Sequence, residues 1–175
     1  MVLRVAGSAI SPAYRAGAFA LCVALAAILA AHAFERFGGY RPCPLCLMQR
    51  YAYYAAIPGL FLALVLDQAG WTKTAALVFF AVALGFLGNA GLGVYHAGAE
   101  WKFWPGPDTC SAALEPLKPA AGDLLRQLEQ TRVVRCDEAQ WRLAGLSFAG
   151  WNVVASFVAF MAALQAAFAA VSRER

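Results

Sequence analysis

Charge is scarce in this sequence. Asp, Glu, Lys and Arg together make up 14% of its 175 residues, against 62% hydrophobic side chains. A soluble domain carries roughly a quarter of its residues as charges, so this scarcity excludes an ordinary water-soluble protein. The 14 basic and 10 acidic residues leave a net charge of only +4, and no Lys/Arg cluster builds a phosphate-binding face. Nucleic acid is therefore not an expected partner. Histidine is scarcer still, with only His32 and His96, and there is a single Cys-x-x-Cys. A structural zinc site takes four such ligands at set spacing, so no metal is expected. What the chain does have is long uncharged apolar runs, without the period of 2 or 3.6 that marks a soluble core.

A hydrocarbon layer of about 30 Å takes roughly 20 apolar residues of helix. Four segments meet that length, at about 16–34, 45–66, 74–97 and 147–171. Ser11-Pro12 before the first fits an N-cap followed by proline at the first helical position. The second apolar run, Tyr51 to Leu66, is short and must begin near Pro44 or Leu45 to cross, and Pro58-Gly59 inside it predicts a bend. Gly85, Gly88 and Gly91, three apart on the third span, predict close approach of a neighbouring helix. Ala31-His32-Ala33 has the form of a leader cleavage site, but the run continues to Phe34 without a short apolar core region, so the first span is read as retained.

The fold class expected is all-α, an integral membrane four-helix bundle in one domain over 1–175, with outer loops at about 35–44 and 98–146. Four spans put both termini on one side. Arg4, Arg15, Lys73, Arg173 and Arg175 share that side with Asp67 and Glu174, a net +3, which the positive-inside rule assigns to the cytoplasm against Arg36, Arg41 and Arg50 opposite. The four loop cysteines then face the extracytoplasmic side.

Cys43-Pro44-Leu45-Cys46 stands where the second span must start. With Pro44 at the first helical position, Cys43 is the N-cap and Cys46 lies in the first turn, so both sulfurs meet unpaired N–H groups and the positive helix end. That favours thiolates, and a low thiol pKa suits dithiol exchange. The plainer alternatives are a zinc half-site or a small structural disulfide. Arg50, four residues after Cys46, falls one turn deeper on the same face. A cation there is costly unless it snorkels or meets an anionic partner; it is an interfacial anchor or, beside a dithiol, a group that stabilises a developing oxyanion on a ring in the outer leaflet.

Cys110 and Cys136, 26 positions apart in the long loop, can pair. Their bond is either a structural staple or, given Pro105-Gly106-Pro107-Asp108 and the charges around Arg132, Arg135, Asp137 and Glu138, a loosely held and exchangeable disulfide. Between them, Leu114 to Glu129 patterns as a short amphipathic helix on the bilayer. Cys22, mid-span, reads as a small buried hydrophobe. His32 and His96 near the outer span ends could in principle ligate a haem, but a plain interfacial or quinone-adjacent role is expected for His96. Trp101, Trp104 and Trp141, with Tyr40, Tyr51, Tyr53 and Tyr54, suit an aromatic belt.

The arrangement resembles the bacterial disulfide bond formation protein B family, DsbB, the quinone-coupled partner of the periplasmic oxidant DsbA. The likeness covers nearly the whole chain. It rests on four spans, on Pro42-Cys43-Pro44-Leu45-Cys46 followed by Gln49-Arg50, and on the second pair Cys110 and Cys136 in the loop between spans three and four. The resemblance implies an inner-membrane protein-dithiol:quinone oxidoreductase whose catalytic residues are Cys43, Cys46, Cys110 and Cys136. A reduced DsbA-like partner would attack the Cys110–Cys136 disulfide at Cys110, Cys43 and Cys136 would exchange, and Cys46 would engage ubiquinone or menaquinone with Arg50 and His96 nearby. The quinol would leave for the respiratory chain, with no metal or haem involved. Gly98 to Asp108 departs from the best-known members, so the likeness says little of how the partner docks. A vitamin K epoxide reductase-like enzyme, with its Cys-x-x-Cys near the last core span, and a tetraspan scaffold stapled by two structural disulfides are the rival readings.

Overall fold

The computed structural model describes residues 10–106 and 135–173. Among them are four helices, α1 (Pro12–Gly38), α2 (Pro44–Gln68), α3 (Thr72–Glu100) and α4 (Phe148–Ser172), and a small hairpin, β1 (Arg142–Leu143) with β2 (Leu146–Ser147). Local chemistry sets the helix starts. The Ser11 hydroxyl accepts the Tyr14 N–H ahead of Pro12, the Cys43 sulfur accepts the Cys46 N–H ahead of Pro44, and the Ser147 hydroxyl accepts the Gly150 N–H. Gly39, at φ +68, closes α1 in the left-handed conformation that glycine adopts at little cost. α2 continues as helix through Pro58.

The helices pack in a ring, α1 on α2, α2 on α3, α3 on α4 and α4 back on α1. The buried stripes are built from small residues. Ala16, Ala20 and Ala24 of α1 share one buried cluster with Ala159, Ala163 and Ala166 of α4 and with Leu60, Phe79 and Phe86. Small side chains let backbones approach where lipid offers no hydrophobic force to bring helices together. A Cβ added to Gly17 would stand 2.6 Å from the Phe79 ring, and one on Gly93 would stand 2.8 Å from Val153.

α1, α3 and α4 are each long and apolar enough to cross a membrane. α2 has the length, at 25 residues, but carries Gln49, Arg50, Asp67 and Gln68 near its ends. Two further expectations are corrected. Gly85, Gly88 and Gly91 lie on the outer face of α3 with nothing within 4 Å of a Cβ built on them, because the buried stripe follows Phe79, Ala83, Phe86, Ala90 and Gly93 at the helical repeat. Cys22 is exposed on α1, two residues off the buried Ala20 and Ala24, so it is not the buried hydrophobe expected.

The bundle has two chemically distinct ends. At one, the buried Asp67 carboxylate accepts from the Ser11 hydroxyl at 2.9 Å and from Arg173 at 3.0 and 3.1 Å, tying the start of α1 and the ends of α2 and α4 together. At the other lie Cys43, His96, Glu100 and the hairpin, whose tight turn places Ala144 and Gly145 both at positive φ. Cys110 and the expected amphipathic segment from Leu114 to Glu129 lie outside the described residues.

Candidate functional site

Cys43 and Cys46 stand together at the start of α2, sulfurs 2.9 Å apart, both as thiols. Cys43 is buried and also accepts the Cys46 N–H at 3.2 Å, which is the helix-cap geometry expected from the sequence. Cys136 is disulfide-bonded and buried, and it packs with Cys43 and Leu45 in one cluster, with Cys46 and Leu92 against it. The structure thus brings together three of the four predicted redox cysteines; the fourth, Cys110, lies outside the described residues.

His96 is placed behind Cys43. Its Nε2 is 3.6 Å from the Cys43 sulfur, its Nδ1 3.2 Å from the Gln49 amide, and the ring also lies against the Cys136 backbone. One turn on, Glu100 brings a carboxylate oxygen to 3.8 Å from the same Nε2 and accepts a hydrogen bond from the Ser147 hydroxyl. Both the Cys43 and Cys46 sulfurs and a His96 nitrogen fall within 4.8 Å of one another. Two thiolates on one tetrahedral zinc would stand about 3.7 Å apart, so the closer sulfurs have dithiol spacing, and among the described residues the cluster offers three donors where a closed structural site takes four.

On the other side of Cys46 opens a cavity of about 540 Å³ between α1, α2 and α4. Cys46, Gln49 and Arg50 share its wall with Glu35, Trp141, Phe148 and Trp151. Aromatic rings close its outer end: Trp141 stacks on Phe148 with centroids 4.7 Å apart, and Phe34 packs on both at 5.0 and 5.1 Å. Trp141 and Tyr40 were expected in an interfacial belt; they serve here as cavity wall. Tyr53, expected there too, is buried, donating to Asn152 at 2.8 Å and lying 3.0 Å from Ser156. Arg50, 13% exposed, donates to Glu35 at 2.6 Å. No other acceptor for its guanidinium is found among the described residues, so donors remain for a ligand oxygen. His32 meets Tyr54 at 2.9 Å and Glu35 at 3.9 Å.

Outside the helices, the segment after the loop is pinned by Asp137, which accepts from Arg135 at 3.0 Å and Lys102 at 2.6 Å. Those two cations, Arg135 foremost, hold its carboxyl down to about 2. Sequence reasoning missed Glu35, Glu100 and the role of Gln49. The four-residue spacing of His96 and Glu100 near the end of a span was the available signal.

Fold and site define a class: a helical membrane protein carrying a helix-capping dithiol at one end, in contact with a second, disulfide-bonded cysteine. Comparison with known proteins gives the family. The chain matches the family model for disulfide bond formation protein DsbB over residues 14–166, and it belongs to that family. It is similar to the disulfide bond formation protein B of Hahella chejuensis, 36% identical over 140 residues, 77% of this chain and 79% of that one. It is also similar to those of Nitrosococcus oceani, 32% identical with 78% and 79% covered, and Aromatoleum aromaticum, 30% identical with 79% and 81% covered. No solved structure matches.

Proposed function

We propose that this protein is a protein-dithiol:quinone oxidoreductase of the inner membrane, reoxidising a DsbA-like thioredoxin-fold partner on the periplasmic side. Family membership supports the coarser reading, an oxidoreductase of disulfide bond formation. The observation that carries the rest is the position of the dithiol between two neighbours. Cys43 packs on Cys136, while Cys46, one turn on, opens onto the Arg50 cavity. Electrons entering at one sulfur have an exit at the other.

The residues present fit a quinone. The cavity is walled by apolar and aromatic side chains, reaches the lipid-facing helices, and offers one sulfur and one incompletely paired guanidinium. A bound quinone, ubiquinone or menaquinone, supplies a two-electron acceptor. Cys46 would present its sulfur to such a ring, Arg50 would hold charge at a ring oxygen, and the Trp141–Phe148 stack would exclude water. α2 then crosses the membrane beside α1 and α3, with Arg50 neutralised by Glu35 at the outer boundary. Cys110, paired with Cys136, receives the partner's thiolate, and the respiratory chain reoxidises the quinol.

Anaerobic turnover with a reduced thioredoxin-fold partner and a soluble quinone, followed by quinone absorbance, tests this. Quinone loss that disappears in both Cys46→Ser and Cys110→Ser is expected. No quinone loss, with every outer cysteine locked in disulfides that mild dithiol does not touch, would leave the stapled scaffold as the better reading.

A further inference from the structure

Glu100 is a buried carboxylate that electron transfer to a quinone does not use. Its side chain is 5% exposed, and it lies off the cavity wall, behind Cys43. Burying a carboxylate costs free energy unless it is paired or takes a proton, yet the ring within reach, His96, is itself only 3% exposed and 3.6 Å from the Cys43 sulfur. Glu100 and Cys43 approach the same ring nitrogen, Nε2, at 3.8 and 3.6 Å, so a proton held there lies between a carboxylate that Ser147 orients and a sulfur it can serve. We propose that His96 exchanges a proton with the Cys43 thiol, and that Glu100, oriented by Ser147, is the positioning residue that stabilises the resulting imidazolium.

This rests on the thiol-relay reading above and assigns His96 to Cys43 instead of to the quinone. The step served is thiol–disulfide exchange. An incoming thiolate attacks Cys136 in a Cys43–Cys136 bond, a new disulfide to Cys136 forms, the Cys43–Cys136 bond breaks, and Cys43 leaves as a thiolate that takes the His96 proton. No net oxidation occurs, and the reverse reaction returns the proton to His96. The Gln49 amide nitrogen stands 3.2 Å from Nδ1; turning the amide over puts its oxygen there to accept an Nδ1 proton, and Nε2 is then the base facing Cys43. The other ionisable groups facing the set are Cys46 and Arg50 from α2 and Arg142 from β1. The Cys43 thiol donates to the Cys46 sulfur at 2.9 Å, and Arg142, exposed on β1, sets a positive charge near Glu100.

The pH dependence of Cys43 alkylation tests this on the full-length reduced protein in detergent, without quinone or partner. Iodoacetamide is the probe, and the Cys43 peptide is quantified by mass spectrometry. Glu100→Gln keeps an acceptor for Ser147 but removes the charge. It is expected to move the midpoint up by about one unit, about a tenfold smaller thiolate fraction near neutral pH. Glu100→Asp should recover part of the shift, and His96→Ala should move it at least as far as Glu100→Gln. Ser147→Ala, which leaves the carboxylate in place, should give a smaller upward shift and serves if Glu100→Gln does not fold. A Cys43 profile unchanged in folded Glu100→Gln, or in folded Ser147→Ala and His96→Ala, overturns the proposal. Since no quinone is present, this outcome is separate from that of the turnover assay.

Discussion

At the scale of single residues, the site depends on charges placed where lipid and protein meet. Arg50 is held by Glu35 through one guanidinium nitrogen, and a planar fork so pinned can present its remaining donors to a ring oxygen at little further ordering cost. Replacing Arg50 by Met should raise the quinone KM by roughly tenfold or more, about the value of one charge-assisted hydrogen bond, while reaction of Cys43 with its partner sulfur is spared. Arg50→Lys keeps the charge without the fork and should recover only part of the loss. Equal KM values in steady-state kinetics for the wild type and Arg50→Met would remove Arg50 from the proposed quinone site. Much of this was legible in the sequence because it is local. Proline after Cys43 fixed the cap, and four-residue spacing put Arg50 one turn below Cys46. Glu35 was not legible, since its partner Arg50 is set by how α1 meets α2; for Glu100 the four-residue spacing to His96 was readable, but its Ser147 contact depends on how α3 meets β2, a register that no periodicity within one helix encodes.

At the scale of elements, the glycines show what such reasoning can mistake. A three-residue spacing drifts around a helix whose repeat is 3.6, so Gly85, Gly88 and Gly91 turn outward while Gly17 meets Phe79 across α1 and α3. Gly17→Ala should therefore lower the thermal midpoint in detergent, at an overpacking cost of about 1–3 kcal/mol, and Gly88→Ala should leave it nearly unchanged. Comparable losses in the two variants would mean that the helices are paired differently. The segment bearing Cys136 makes a second, pH-dependent case. The Asp137 carboxyl titrates at about 2 when held by Arg135 and Lys102, against 3.8 free. A depressed folded-state value contributes stability that is fully present above the free value and lost as pH falls from about 4 through about 2. Hydrogen exchange around Cys136, corrected for its intrinsic rate, should accelerate across that window, and Asp137→Asn should be fast at every pH. A flat wild-type profile would mean that Asp137 does not hold the segment.

At the scale of the whole molecule, the two ends divide the work. The Ser11–Asp67–Arg173 clamp gathers the start of α1 and the ends of α2 and α4 at one end, and the dithiol, His96 and Glu100 occupy the other. The relay proposed needs sulfurs that trade partners at the opposite end, and the length of the bundle between the two lets them do so without loosening the clamp. The same separation makes orientation decisive. Disulfides persist in oxidising compartments and are reduced in the cytosol, so the reaction proposed requires the dithiol end to face outward. In a background lacking the native cysteines, Phe37→Cys, at the highly exposed outer end of α1, should react with a membrane-impermeant maleimide on intact cells permeable only at the outer membrane. Gln68→Cys, exposed beside the clamp, should react only after lysis. The reverse pattern would place Cys43 and Cys46 in a reducing compartment, where net disulfide formation cannot be sustained, and would end the relay reading even with the family assignment intact.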